Sequence, residues 1–213
     1  TITFINNEFK NDLGLYGSAY DADSDGVEGK YYVWNYKELD QILSNKLDLF
    51  KKKYIFNEKG NFEGNNILIE NNLKISIEER NKIKKLEEIL LIERNKRNKP
   101  EFDNKSQTDQ NCFLLETLLV SSLITDNELL KSQTIKDIEK IENYLSKKIF
   151  HCYQDTEIDA FLEDYVYFAS LLITKYEIDG DELNINKSKE ILIKAWDNFC
   201  LLYTSDAADE IAS

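Results

Sequence analysis

The chain has 213 residues and a net charge of −13, so it is long enough for one sizeable core and too acidic for general nucleic-acid binding, which needs basic surface. Its three cysteines are scattered singly, which excludes a zinc knuckle or a Cys-x-x-Cys redox centre and suits a reducing cytosol. No apolar stretch approaches the roughly 18 residues of a membrane span and the first residues carry no signal-peptide pattern, so we expect a cytoplasmic protein without a membrane partner.

The first half of the chain combines helical segments with a short β-hairpin. Its predicted elements are a helix end at residues 1–10, strands at 14–20 and 30–34, a helix at 37–54, a turn-rich loop at 57–64 and a helix at 77–97. The two strands flank an acidic loop, which predicts an irregular hairpin near residues 14–35. The block RNKRNK at residues 94–99 is expected to be a solvated helix end.

The second half is predicted to consist mostly of helices. Its helices are expected at residues 111–124, 128–149, 161–176 and 185–199. Residues 111–124 are apolar nearly all the way round, which is typical of a helix buried on most sides, whereas residues 128–149 are amphipathic. One stripe of residues 161–176 carries Phe161, Tyr165, Phe168, Ala169, Leu172 and Tyr176. The mixture predicts an inner ring of helices, including residues 111–124 and 161–176, wrapped by an outer ring.

The domain organisation follows from the linkers and from the last stretch. No Pro-, Gly- or Ser-rich linker divides the chain, so we expect one domain over residues 1–199. The stretch CLLYTSDAADE, which begins at Cys200, resembles a translated sequencing adapter, and we expect residues 200–213 to be a non-native tail. The chain contains no methionine, which favours an internal fragment that would be incomplete and catalytically inert alone.

The stretch SAYDADSDGVEGKYYVWN, residues 18–35, allows three interpretations. Asp21, Asp23, Asp25 and Gly26 match the opening of an EF-hand, but Tyr32 stands where calcium needs a bidentate glutamate, so we predict no metal site. The loop would otherwise be a solvated acidic turn, since Asp and Gly favour turns. The third interpretation is a ligand-facing loop, because aromatic faces stack on sugar rings while carboxylates accept hydroxyl hydrogen bonds.

The aromatic side chains beside this loop are candidates for that ligand contact. Tyr32 and Trp34 follow the carboxylates directly. The alternative is that they are core anchors on one side of the hairpin.

Four stretches in order resemble the spermatogenesis-associated protein 20 family, whose bacterial members are called thioredoxin domain-containing proteins. They are SAYDADSDGVEGKYYVWN, GNFEGNNIL (60–68), KPEFDNKSQTDQN (99–111) and FLEDYVYFASLL (161–172). The resemblance covers residues 1–199 and implies an upstream thioredoxin-like domain in cis and an (α/α)6 barrel of the six-hairpin glycosidase type, similar to N-acylglucosamine 2-epimerases. The expected fold is therefore mainly all-α, a partial (α/α)6 toroid with a short β-hairpin near residues 14–35.

The sequence also departs from the family pattern. Asn104 stands where the family has a second acid, and Asp109-Gln110-Asn111-Cys112 stands where it has Ser-Trp-Asn-Gly. The lost aromatic residue and glycine change the start of a helix that would line a pocket.

The candidate site residues divide into two groups. Carboxylates for general acid/base chemistry on a sugar are Asp21, Asp23, Glu163 and Asp164. Ligand-binding candidates are Tyr32, Trp34, Glu63, Asp103, Lys105, Asn111 and Tyr165. The alternative role of Asp103 and Asp164 is helix capping, and the single histidine, His151, is expected to be structural.

These residues leave two functions open. One is a carbohydrate-active enzyme of the epimerase or glycosidase type, acting on a sugar-like small molecule without a cofactor. The other is a non-catalytic barrel that binds a ligand or serves as a scaffold for the missing redox domain. Convergence of the carboxylates in one deep pocket would favour the enzyme, and dispersed, cap-bonded carboxylates would favour the binding protein.

Overall fold

The structure is a computed structural model that describes residues 1–153 and 158–200, and it is mainly helical with small antiparallel sheets. The chain forms two compact units. The central unit is Tyr20–Phe102, and the terminal unit combines Thr1–Ala19 with the chain from Asp103 onward. The predicted non-native tail lies outside the described residues from residue 201 on, and the single domain over residues 1–199 stays a prediction.

The central unit contains short strands and three α-helices in its described residues. They are β2 (Asp23–Ser24), β3 (Val27–Glu28), α2 (Tyr36–Leu43), α3 (Leu47–Lys51), β4 (Tyr54–Ile55), β5 (Ile69–Glu70) and α4 (Ile77–Arg94). Strands β1 (Ala19–Tyr20) and β6 (Phe102–Asp103) lie where the chain passes from one unit to the other.

The β-hairpin lies inside the acidic loop instead of flanking it. Strands β2 and β3 pair antiparallel across Asp25 and Gly26, which have φ of 53° and 71°. An Asp-Gly pair with two positive φ angles is the preferred chemistry of a tight hairpin turn. The strand predicted at residues 30–34 is wrong, because the Gly29 carbonyl accepts hydrogen bonds from the N–H groups of Tyr32 (2.8 Å) and Val33 (3.1 Å), which makes this segment a turn.

The helix predicted at residues 37–54 is also interrupted. Helix α2 ends before Ser44, whose φ of 49° cannot continue a right-handed helix. A short 3₁₀ turn leads into α3, and the last predicted helical residue, Tyr54, belongs to β4, which pairs antiparallel with β5. The helix predicted at 77–97 is confirmed over Ile77–Arg94 as α4, whereas residues 95–97 lie beyond its end. The helix begins with a reciprocal capping box between Ser76 and Glu79.

The central unit has its own hydrophobic core. The apolar spacing of α4 puts Ile83, Leu86 and Leu90 on its buried face. They pack with Trp34, Leu39, Leu43, Leu47, Phe50 and Phe56.

The terminal unit is predominantly helical. Its elements are α1 (Ile2–Glu8), β7 (Ser106–Gln107), α5 (Thr108–Ile124), α6 (Glu128–Tyr144), β8 (Phe150–Tyr153), β9 (Ile158–Asp159), α7 (Leu162–Asp179) and α8 (Glu182–Phe199). Strands β7, β8 and β9 form an antiparallel sheet with β8 in the centre. Gly180, with φ of 70°, ends α7 as its position after Asp179 predicts. Within the described residues, no helix combines the length and the apolarity that a membrane crossing requires.

Helices α5 and α7 lie side by side and run in the same direction. Near their starts, the Asp109 N–H donates to Oδ1 of Asp164 at 3.1 Å. Two turns further along, Oε1 of Glu116 accepts from the hydroxyls of Ser170 (3.0 Å) and Thr174 (2.8 Å). Helix α5 also packs against α6, and α7 packs against α8, so each parallel helix is followed by its own neighbour in the chain.

The expectation that residues 111–124 are buried on most sides is wrong. Cys112, Leu115, Leu118 and Leu119 are buried, but Phe113 is 57% exposed, and Val120, Leu123 and Ile124 are exposed too. The apolar circumference of α5 covers more surface than α6 and α7 can bury. The stripe predicted on residues 161–176 is similarly correct at Phe168, Ala169 and Leu172 and wrong at Phe161, which is exposed.

Candidate functional site

The central unit contains a cavity of about 600 Å³ beside the acidic hairpin. Three segments form it: the hairpin and the turn after it, the turn at residues 62–65, and the segment that follows α4. The lining residues used below are Asp25, Glu28, Lys30, Tyr31, Glu38, Phe62, Glu63, Asn65, Lys96, Arg97 and Asn98. The size falls within the range of small-molecule sites, and the lining mixes ring faces with amides and charges of both signs.

Arg97 holds the wall of this cavity together. Its guanidinium donates to the carbonyls of Tyr31 (3.0 Å) and Val33 (2.7 Å), and it forms an ion pair with Glu38 at 2.8 Å. The same group lies 4.2 Å from the centre of the Trp34 ring. The expectation of a solvated block at residues 94–99 is therefore wrong at Arg97, because a planar guanidinium can satisfy several carbonyls and stack on a ring at once.

The carboxylate at the hairpin turn already has two partners. Lys30 Nζ donates to one oxygen of Asp25 at 2.9 Å, and Asn98 Nδ2 donates to the other at 2.9 Å. These hydrogen bonds lower the pKa of Asp25, the one from Lys30 most, so the group stays ionised. A calcium ion would have to displace both donors.

The predicted site residues of the central unit do not converge on one point. Glu63 lines the cavity, whereas Asp21, Asp23, Tyr32 and Trp34 are not among the residues that line it. Asp21 is exposed and accepts the Asp23 N–H at 3.2 Å, which is a turn interaction. Trp34 is 4% exposed and is a core anchor, whereas Tyr32 is 44% exposed.

In the terminal unit, Asp164 is a buried cap that also binds the single histidine. Its side chain is inaccessible, and Oδ2 accepts the Phe161 N–H at 2.8 Å, as the capping alternative predicts. Nδ1 of His151 lies 3.1 Å from each carboxylate oxygen. Burial raises the pKa of Asp164, and the bonds from Phe161, His151 and Asp109 partly oppose that rise.

Asp109, His151 and Asp164 together offer ligand atoms within 4.8 Å of one another, a spacing that a cation could use. Oδ1 of Asp109 is a buried oxygen without a hydrogen-bond partner. Both oxygens of Asp164 already accept backbone N–H groups, which are strong competitors for a metal ion. The arrangement serves first to hold the starts of α5 and α7 against β8.

The remaining candidates in the terminal unit have separate environments. Asn111 is 2% exposed, and its amide accepts the Tyr16 N–H (2.8 Å) and donates to the carbonyls of Tyr16 and Gln107 (2.9 Å each). Asp103 accepts the Lys105 N–H at 3.2 Å, and the two side chains form a half-exposed ion pair.

Glu163 and Tyr165 lie on the first turn of α7. Glu163 is exposed. The Tyr165 hydroxyl accepts from Asn198 at 3.2 Å, and its half-buried ring borders a second cavity, in the terminal unit.

Sequence reasoning missed three residues that shape these sites. Arg97 could not be distinguished from the other basic residues of the block at 94–99. Its structural role comes from hydrogen bonds to carbonyls more than 60 positions away in the sequence. Phe62 gave no signal beyond its place in a turn-rich loop. Asp109 stood out only as a departure from the family pattern. The Asp25–Gly26 dipeptide was a usable signal, because it marks a tight hairpin turn.

Comparison with known proteins does not identify the chain. No protein-family model matches it, and no curated protein sequence matches it. The resemblance to the spermatogenesis-associated protein 20 family therefore stays a prediction.

Proposed function

We propose that the chain binds a carbohydrate-like small molecule, without catalysis, in the cavity of the central unit. The observation that carries the proposal is the lining of that cavity, where the half-buried Phe62 lies among carboxylates, amides and cations. A sugar presents apolar ring faces and a periphery of hydroxyl groups, so it needs both kinds of contact.

The polar groups of the lining suit hydroxyl recognition. Glu28 and Glu63 are exposed carboxylates that accept hydrogen bonds, and Asn65 and Lys96 provide amide and ammonium donors. The Phe62 ring lies beside Gly29, where an added Cβ atom would be in ordinary van der Waals contact with it, at 3.6 Å.

The carboxylate geometry favours binding over catalysis. Asp164 is buried as a cap and accepts two backbone N–H groups, so it is not free to work as half of an acid/base pair, and Asp21 does not line the cavity. Glu163 and Asp164 are consecutive on a helix, and consecutive residues do not point to the same side. Dispersed, bonded carboxylates are what a non-catalytic ligand-binding protein would have.

We further propose that the terminal unit contributes to an (α/α)6 barrel of the spermatogenesis-associated protein 20 family. Support comes from the parallel neighbours α5 and α7, each packed against the next helix of the chain. The exposed rings of Phe113 and Tyr167 lie 5.6 Å apart, and in a barrel this shared apolar face would line the interior. Under the same proposal, the protein is cytoplasmic and carries a thioredoxin-like domain in cis.

The test is a panel of neutral, acidic and N-acetylated monosaccharides and disaccharides titrated into the full chain, with binding followed by saturation-transfer NMR and calorimetry. We expect binding of at least one sugar to fall about tenfold or more in Phe62→Ala and several-fold in Glu63→Gln, since a buried ring and a charged hydrogen bond each contribute on the order of 1–3 kcal/mol. Sugar turnover by the same samples should be absent.

The matched controls are Tyr32→Ala and Glu58→Gln, which remove an exposed ring and an exposed carboxylate of the same unit outside the cavity. Both should bind as the parent chain does. If sugar binding is lost in Tyr32→Ala and retained in Phe62→Ala, the sugar binds outside the cavity. If no sugar of the panel binds, the proposal is overturned. Sugar conversion that is lost in His151→Asn would favour the enzyme instead.

A further inference from the structure

A second cavity, wholly within the terminal unit, has a different chemistry. It has a volume of about 400 Å³ and lies among the end of α6, the first half of α7 and α8. Four buried apolar residues form its floor: Leu145, Ile149, Phe168 and Ile191. Four lysines line it as well: Lys147, Lys148, Lys187 and Lys194.

The charge of this cavity is opposite to that of the protein. The chain carries −13 overall, yet the four lysines of the lining face only two glutamates, Glu142 and Glu190. Glu142 is itself neutralised, because Lys175 (2.9 Å) and Lys187 (3.0 Å) both donate to it. The net result is a positive cavity on an acidic molecule, which attracts a small anion.

Two of the lysines remain available for a ligand. Lys148 is paired with Asp159 at 2.8 Å, and Lys187 with Glu142. Lys147 and Lys194 are exposed, and neither has an ion-pair partner among residues 1–153 and 158–200. Tyr165, whose ring also lines the cavity, adds a phenol beside the apolar floor.

We propose that this cavity binds a small amphipathic anion, with an apolar chain or ring on the floor and a carboxylate-type head between Lys147 and Lys194. The apolar floor gives such a ligand its burial, and the lysines discriminate the anion from a neutral molecule of the same shape. The inference concerns a different unit from the sugar cavity and does not depend on it.

Octanoate is the probe, with octanol and acetate as comparison ligands. Titrations into the full chain are followed by amide chemical shifts, which report both affinity and location. We expect octanoate to bind with shifts at the cavity residues, octanol to bind at least about tenfold more weakly, and acetate not to bind at millimolar concentration. Raising the salt concentration should weaken octanoate binding, because exposed charges are screened.

The decisive variants are Lys147→Gln and Lys194→Gln, each at an exposed position. Each should weaken octanoate binding about threefold, and the double variant about tenfold, as exposed ion pairs of this kind allow. The control is Lys189→Gln, which removes an exposed lysine on the same helix α8 outside this cavity and should bind octanoate normally.

Three results would overturn the proposal. They are equal affinity for octanoate and octanol, equal weakening by Lys189→Gln and Lys194→Gln, and the absence of octanoate shifts at the cavity residues. Circular dichroism of each variant checks that folding is unchanged. Because the sugar cavity lies in the central unit, the variants here should leave sugar binding as it is, and either proposal can fail alone.

Discussion

The guanidinium of Arg97 lies 4.2 Å from the centre of the Trp34 ring, which belongs to the core of the central unit. The same group donates to the carbonyls of Tyr31 and Val33, so one side chain connects the core to the wall of the cavity in the central unit. Trp34 and Arg97 are 63 positions apart in the sequence (97 − 34), and the contact depends on α4 returning the chain to the hairpin.

The substitution Arg97→Lys should lower the free energy of unfolding of the central unit by about 2–3 kcal/mol. A lysine ammonium cannot stack on the Trp34 ring as the planar guanidinium does while also donating to two carbonyls and to Glu38. Urea denaturation followed by Trp34 fluorescence, in a Trp196→Phe background, measures this. Arg80→Lys, at an exposed position of α4, is the control and should change the free energy of unfolding by less than about 0.5 kcal/mol. Equal stability of the two variants would contradict the structural role of Arg97.

Asn111 should be a structural residue of the terminal unit. In Asn111→Ala the buried N–H and carbonyl of Tyr16 lose their partner, which should cost about 2–4 kcal/mol of unfolding free energy. Thermal and urea denaturation measure the loss, and Asn143→Ala, at an exposed position, serves as the control. If the Asn111→Ala protein has normal stability but binds ligand more weakly, Asn111 is a ligand-binding residue and not a structural one.

The stability of the terminal unit should fall in acid partly through Glu142. Burial alone would raise the pKa of this carboxyl, but the hydrogen bonds from Lys175 and Lys187 outweigh it and lower the pKa below the ordinary value of 4.5. A carboxyl whose folded-state pKa is lowered stabilises the fold above the unfolded-state pKa, and that contribution disappears as the pH falls through the folded-state value.

Glu142→Gln should therefore be about 1–2 kcal/mol less stable than the parent at pH 7, with the difference shrinking as the pH falls below 4.5. Urea denaturation at pH 7, 5 and 3 measures how the stability difference between the two proteins changes with pH. Glu177→Gln, an exposed position on α7, should show no such pH dependence. A difference that stays constant from pH 7 to pH 3 would show that Glu142 acts through packing and not through charge.

The three cysteines should react at two very different rates. Cys112 and Cys152 are buried, and burial raises the pKa of both thiols, whereas Cys200 is partly exposed. A disulfide reagent such as Ellman's should modify one thiol rapidly and the other two only as the protein unfolds. Cys200→Ser should remove the rapid phase, and rapid modification of Cys112 in that variant would mean that the core of α5 opens readily.

Elements whose signals are local could be predicted from the sequence. The apolar spacing of Ile83, Leu86 and Leu90 identified α4, and Gly180 identified the end of α7. Such features follow from periodicity and backbone preference within a few residues, so no distant contact is needed to predict them. The capping role open to Asp164 was local in the same way, because it depends on a residue three positions earlier.

Tertiary structure alone decided which candidate side chains are available for a ligand. Whether Trp34 is a core anchor depends on Arg97 and on the core of α4, and whether Asn111 is free depends on the backbone of Tyr16, 95 positions away. Phe113 is as apolar as Leu115, but Leu115 is fully buried, whereas Phe113 stays 57% exposed although its ring lies beside Tyr167 of α7. Whether a side chain is buried or hydrogen-bonded depends on residues that are distant in the sequence and meet only in the folded chain. The hydrophobicity of one segment cannot specify those contacts.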